Sequence, residues 1–173
     1  MIRKAMPDDL DAVAEIYHHI HIQERLNNIC VGWIPDVYPT RATAEKALER
    51  GGLFVYQEND KILAAAIINR EQVAVYADCD WNYEASADEI MVIHTLVVEP
   101  AAGKKGIGKQ FIAFYEAYAR KEKCKVLRLD TNAKNAVARR FYANLGYREA
   151  GIRLCEFNGI PDVHLVLLEK ALC

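Results

Sequence analysis

Long apolar runs are missing from this sequence. The longest, ILAAAII at Ile62–Ile68, has seven residues, against the roughly 20 that a membrane-spanning helix requires, so no membrane partner is expected. A strong charge of either sign is missing too. The formal net charge is -2, whereas nucleic acids and anionic bilayers call for a basic field, so no nucleic-acid partner is expected either. The opening MIRKAMPDDL has no apolar h-region, and secretion is not expected. The five cysteines (Cys30, Cys79, Cys124, Cys155, Cys173) include no C-x-x-C pair. An odd, scattered set argues against a disulfide framework or a zinc site and suits a reducing cytoplasm. There is no Gly/Ser/Pro-rich linker, internal repeat or low-complexity tract. A chain of 173 residues is then expected to be a single domain spanning 1–173.

What is present is a clear alternation of periodicities. IRKA at Ile2–Ala5 reads as a short strand. Pro7-Asp8-Asp9 suits a helix start, since proline fits a first turn and carboxylates suit the positive helix end. Leu10, Val13, Tyr17 and Ile20 follow at helical spacing. PTRATAEKALERGG is a second helix, with Thr40 or Thr43 as N-cap and Gly51-Gly52 as its stop. LFVYQENDKILAAAIINRE reads as two strands joined by a tight turn at Asn59-Asp60. A polar, acidic loop leads to the strong strand IMVIHTLVVEP. Beyond a glycine-rich loop, Ile107, Phe111, Phe114 and Tyr118 space as an apolar helix face. KVLRLDT is a strand, Asn135–Leu145 a helix ending at Gly146, and Asn158-Gly159 turns a last hairpin. The implied fold class is α/β with a mixed sheet.

The densest signal is LVVEPAAGKKGIGKQF, with three glycines and three lysines in the sixteen residues Leu96–Phe111. It follows a strand and opens a helix, where free backbone N–H groups and the helix dipole hold a phosphate. Glycines let the backbone approach the oxygens, and lysines add charge. The dinucleotide fingerprint G-x-G-x-x-G fails at Phe111. The P-loop G-x-x-x-x-G-K-[ST] fits Gly103, Gly108 and Lys109, but Gln110 replaces the magnesium-binding hydroxyl. Asp130 is the sole weak candidate for the magnesium aspartate.

LVVEPAAGKKGIGKQ resembles the coenzyme A pyrophosphate loop of the GCN5-related N-acetyltransferases, L-x-V-x-P-x-x-[RQ]-x-x-G-x-[GA], through Leu96, Val98, Pro100, Gly106 and Gly108. Gly103 departs from it, standing where the family usually has arginine or glutamine. NAVARRFYANLGYR resembles the second family signature, N-x-x-A-x-x-x-Y-x-x-x-G-[FY], through Asn135, Ala138, Tyr142, Gly146 and Tyr147. The resemblance implies a mostly antiparallel central sheet with splayed middle strands, flanked by helices. It implies acetyl-CoA as cosubstrate, no metal, and a small-molecule or peptide amine as acceptor; homodimers are common in the fold. It places the coenzyme against Leu96, Val97 and Val98, against the loop Gly103, Lys104, Lys105, Gly106, Ile107, Gly108 and Lys109, and against Asn135 and Tyr142.

By the same resemblance the amine attacks the thioester directly in a ternary complex, and Tyr142 donates to the departing thiolate. Val92, His94, Leu96 and Val98 are expected on one strand face by alternation. His94 is the expected general base there, because its side chain titrates near neutrality. Trp33 and Tyr38 are expected to wall the acceptor pocket. His18, His19 and His21 read as a helix surface rather than a metal site. The acidic loop with Trp81 and Tyr83 reads as solvated, or as a cation-stacking surface. Two rival functions share these residues: an acyl-CoA-binding module without catalysis, and a P-loop-like nucleotide-binding protein.

Overall fold

Turn and cap chemistry sets most element boundaries. In the computed structural model, which describes residues 1–103 and 105–172, the chain runs β1 (Ile2–Lys4), α1 (Leu10–Arg25), α2 (Arg41–Glu49), β2 (Leu53–Glu58), β3 (Lys61–Asn69), β4 (Ile90–Val98), α3 (Ile107–Lys121), β5 (Val126–Asn132), α4 (Ala136–Asn144), β6 (Arg148–Phe157) and β7 (Ile160–Ala171). Lys104 and Cys173 lie outside the described residues. Asn59 and Asp60 both take positive φ (48° and 59°), the conformation that a two-residue β2–β3 hairpin needs. Thr40 caps α2 in a reciprocal box with Thr43, so both expected threonines serve the same start.

The seven strands lie in the order β1-β2-β3-β4-β5-β7-β6. Every pairing is antiparallel except β4 with β5. This is the mixed, mostly antiparallel sheet expected. On one face α1 and α2 bury Val13, Ile16, Tyr17, Ala44 and Ala47 against Val55, Ala65, Ile67 and Val97. On the other, α3 packs Ile107, Phe111, Ile112 and Tyr115 against Ala64, Ala66, Ile93 and Leu127. Phe111 and Tyr115 are fully buried, and such side chains contribute about 2–3 kcal/mol each. Phe114 and Tyr118 are half-buried and stack on each other over Phe54.

The feature that matters for function is a fork in the middle of the sheet. The parallel β4–β5 ladder covers only Ile90–Val92 against Val126–Arg128. Beyond it β4 continues along β3 to Val98 and β5 along β7 to Asn132. At the fork the Tyr115 hydroxyl of α3 donates to the Met91 carbonyl at 2.6 Å, with the Arg128 carbonyl 3.2 Å away. From Ile93 onward the facing edges of β4 and β5 carry backbone groups with no strand partner, and such groups demand another partner or water.

The acidic loop is anchored rather than simply solvated. The Arg128 guanidinium lies 4.0 Å above the Trp81 ring, and the fully buried Glu169 accepts from the Asn82 and Tyr83 amides. Trp81 therefore spends its face on a cation of the protein itself. His21 also departs from the surface reading: it is buried, with Nε2 3.0 Å from the Pro39 carbonyl oxygen. His19 instead pairs with Glu99 at 2.8 Å.

Candidate active site

The open half of β4 is bulged. Ile67 pairs with His94 and Ala65 with Val97, so Thr95 and Leu96 together stand opposite Ala66. Thr95 takes φ +50°, a costly conformation for a β-branched residue, and such outliers concentrate at functional sites. The Tyr38 hydroxyl hydrogen-bonds Thr95 Oγ1 and helps hold that conformation. The extra residue inverts the side-chain alternation. His94 shares the face of Ile67, toward α1 and α2, whereas Leu96 and Val98 pack toward α3 and α4. The expected single face for Val92, His94, Leu96 and Val98 is thus corrected: the chain crosses the sheet plane at Thr95. Val97 is buried on the α1 side, so only its backbone can meet a ligand in the fork.

The loop after β4 ends at Gly106, the N-cap of α3, in the left-handed region (φ +72°) with no side-chain cap. Among the described residues the first amides of α3, those of Ile107, Gly108 and Lys109, have no capping acceptor, as an anion site requires. A Cβ on Gly108 would meet Phe141 at 3.5 Å, so alanine fits there and only bulkier side chains would intrude. Lys109 is exposed, and Lys105 pairs with Glu58 at 3.1 Å. Lys104 lies outside the described residues.

Asn135 opens α4, and its Oδ1 accepts from the Ala138 amide at 3.0 Å. Its carbonyl oxygen therefore caps the helix, and only its amide nitrogen remains for a ligand. Seven residues on, Tyr142 is 8% exposed and its hydroxyl makes no hydrogen bond among the described residues. Burial, reinforced by the Asp130 carboxylate, pushes its pKa up, so it keeps its proton at any physiological pH.

Both signature residues, Asn135 and Tyr142, line a cavity of about 110 Å³ together with Leu96, Thr95, His94, Asp130, Trp33 and Tyr38. A larger cavity of about 520 Å³ adjoins it on the α2 side and shares Tyr38, His94 and Phe157 with it. His94 Nε2 lies 3.1 Å from Asn69 Oδ1 and 3.1 Å from the Glu71 carbonyl oxygen. Asn69 Oδ1 itself accepts from the Glu71 amide, so both partners are acceptors. Nε2 must carry the hydrogen, leaving the Nδ1 lone pair to accept a proton. Burial lowers the His94 pKa below 6.5, so the ring is neutral at pH 7. Trp33 and Tyr38 meet edge to face at 5.9 Å and wall the inner cavity.

A sequence model described as the acetyltransferase (GNAT) family matches residues 13–147. The chain belongs to that family. It is 26% identical over 154 residues to an uncharacterized N-acetyltransferase of Methanocaldococcus jannaschii, covering 86% of this chain and 60% of that protein. It is 29% identical over 107 residues to a streptothricin acetyltransferase of Escherichia coli, covering 61% of this chain and 58% of that protein. The chain thus spans about three fifths of the length of these curated relatives. The Salmonella typhimurium protein yncA, solved with its cofactor acetyl-CoA, superposes with a TM-score of 0.72 at 18% identity, covering 100% of this chain and 94% of that one.

Thr95 and the Tyr76–Asp130 pair are not in the expected site, where Asp130 figures only as a weak magnesium candidate. The Tyr76 hydroxyl donates to Asp130 Oδ2 at 2.8 Å. The available signal was a carboxylate inside the apolar strand VLRLDTN. Among the described residues no group of three or more His, Cys, Asp or Glu could hold a metal. No helix among them is long and apolar enough to cross a membrane.

Proposed function

We propose that this GNAT protein transfers an acetyl group from acetyl-CoA to a primary amine by direct attack in a ternary complex. One observation carries the reading: the buried Tyr142 side chain, its hydroxyl without a hydrogen bond among the described residues, shares a cavity with the bulged stretch of β4 at Thr95 and Leu96 that β5 leaves unpaired. The fork fits the coenzyme arm. The β4 edge beyond Val92 offers free backbone donors and acceptors, and the uncapped start of α3 offers amides to a pyrophosphate. When bound, acetyl-CoA supplies an activated acyl carbon and a thiolate leaving group.

The side chains then divide the proton work. His94 Nδ1 takes a proton from the amine, which enters from the α2-side cavity. The amine nitrogen forms its bond to the acyl carbon as the carbon–sulfur bond breaks. Backbone N–H groups at the bulge stabilise the negative oxygen. The Tyr142 hydroxyl gives its proton to the departing sulfur and regains one from the nitrogen through solvent. His94 and Tyr142 approach the cavity from opposite faces of the sheet, so base and acid flank the reacting carbon. The relative named as an N-acetyltransferase supports a nitrogen acceptor, and the Salmonella protein supports the coenzyme.

Calorimetric titration with acetyl-CoA, run beside ATP with magnesium, tests this reading. Saturable acetyl-CoA binding followed by thiol release with an amine supports it. Acetyl-CoA binding without transfer to any amine would leave an acyl-CoA-binding module, and binding of ATP alone would end the transferase reading.

A further inference from the structure

Two carboxylates, Asp9 and Glu169, are buried and satisfied, and a third, Asp130, is half-buried at a cavity wall. Asp9 takes two hydrogen bonds from Arg3 and one from the Met6 amide. Glu169 takes the Asn82 and Tyr83 amides and the Arg148 guanidinium. Asp130 is different. Its only hydrogen bond among the described residues comes from the Tyr76 hydroxyl, to Oδ2, and no cation of the described residues pairs with it. Arg128, two residues earlier on the same strand, turns instead to Gln72, the Tyr83 carbonyl and the Trp81 ring. Carboxylates drawn out of water are ordinarily matched by a cation, so the half-buried Asp130, alone at a cavity wall, calls for a ligand that brings the charge.

The rest of that cavity suits an ammonium group. Trp33, Tyr38, Phe157 and Tyr142 line it with Asp130. Aromatic faces around a carboxylate attract a desolvated cation from several sides. We propose that Asp130 and this aromatic wall bind the acceptor as an aliphatic primary ammonium, which makes Asp130 the residue that selects a cationic amine over a neutral acceptor of the same shape. The proposal rests on the transferase reading for the identity of the acceptor, but the binding site itself does not need the coenzyme. Burial raises the Asp130 pKa to about 6, so the carboxylate is ionised at neutral pH and still lacks a cation. The titratable groups around it are Tyr76, Tyr38, Tyr142, His94 and Cys155, none of them a resident positive charge at pH 7.5.

The test uses n-butylamine, an ammonium at pH 7.5, and its uncharged analogue n-butanol. Both are titrated calorimetrically into the full chain and into Asp130→Asn, with acetyl-CoA affinity measured in parallel. Saturable butylammonium binding is expected, weakened about tenfold or more by the substitution, with butanol weak and equal in both proteins. Equal butylammonium affinity in the two proteins, or no saturable binding to the unsubstituted chain, overturns the proposal. A second readout avoids the variant altogether: the carbon-13 titration midpoint of the Asp130 carboxyl should move down when butylammonium is bound, and an unmoved midpoint overturns it. Loss of acetyl-CoA binding would instead count against the transferase reading, while the butylammonium titrations would still decide the ammonium site.

Discussion

Two helices begin beside the fork, and they begin differently. At α4 the Asn135 side chain accepts from the Ala138 amide and satisfies the helix start from within. At α3 the N-cap is Gly106, with no side chain to offer and a left-handed backbone. Both helices follow a central strand and pack on the same face of the sheet. The difference teaches where a ligand belongs. A helix start that supplies its own acceptor has little left for an anion, whereas one that withholds it keeps several amides and its dipole available. Under the proposed function α3 holds the coenzyme, and α4, fixed by its own cap, carries Tyr142 to the reacting atoms.

The most severe way to break this contrast is to give α3 an acceptor. Gly106→Asp places a carboxylate that tolerates the left-handed conformation where the anion would sit. Acetyl-CoA affinity should fall by two orders of magnitude or so, with the melting temperature nearly unchanged; calorimetry and a thermal melt read both. The contrast sharpens with Tyr142→Phe, which should lower kcat about 100-fold while acetyl-CoA affinity holds, because the hydroxyl acts on the leaving group rather than in binding. His94→Ala should also lower turnover more than affinity, by roughly 100-fold or less. Since burial lowers the His94 pKa below 6.5, the ring is an available base above that value and protonates as pH falls through it. The acid limb of the kcat profile should therefore change in His94→Ala, and an identical limb would remove the histidine from the mechanism. The smallest effect is expected from Asn135→Ala. It removes the α4 cap and should cost about 1 kcal/mol of stability in denaturant melts, with only a few-fold change in acetyl-CoA affinity.

Much of this architecture was legible in the residues. The Asn59-Asp60 and Asn158-Gly159 turns, the capped start of α2 and the glycine loop before α3 all stand where local chemistry put them. Local rules reach that far because turns, caps and left-handed glycines depend on a few neighbouring atoms. Alternation puts His94 on the same face as Leu96 because it assumes a regular strand, and one extra residue at Thr95 reverses it. The surface reading of His21 fails because polarity along the chain does not show Pro39, which reaches it from another segment; Trp81 does stack on a cation, but one that the protein itself supplies.

The residues alone carry the family signatures, the order of elements and the glycine loop that opens α3, since each lies in one continuous segment. Packing of distant segments parts β4 from β5 after three paired residues and brings His94 and Tyr142 to one cavity from opposite faces. It alone left Asp130 there without a cation among the described residues. Those facts depend on which distant segments pack together, because burial and charge pairing are properties of a surrounding and not of a neighbour in sequence.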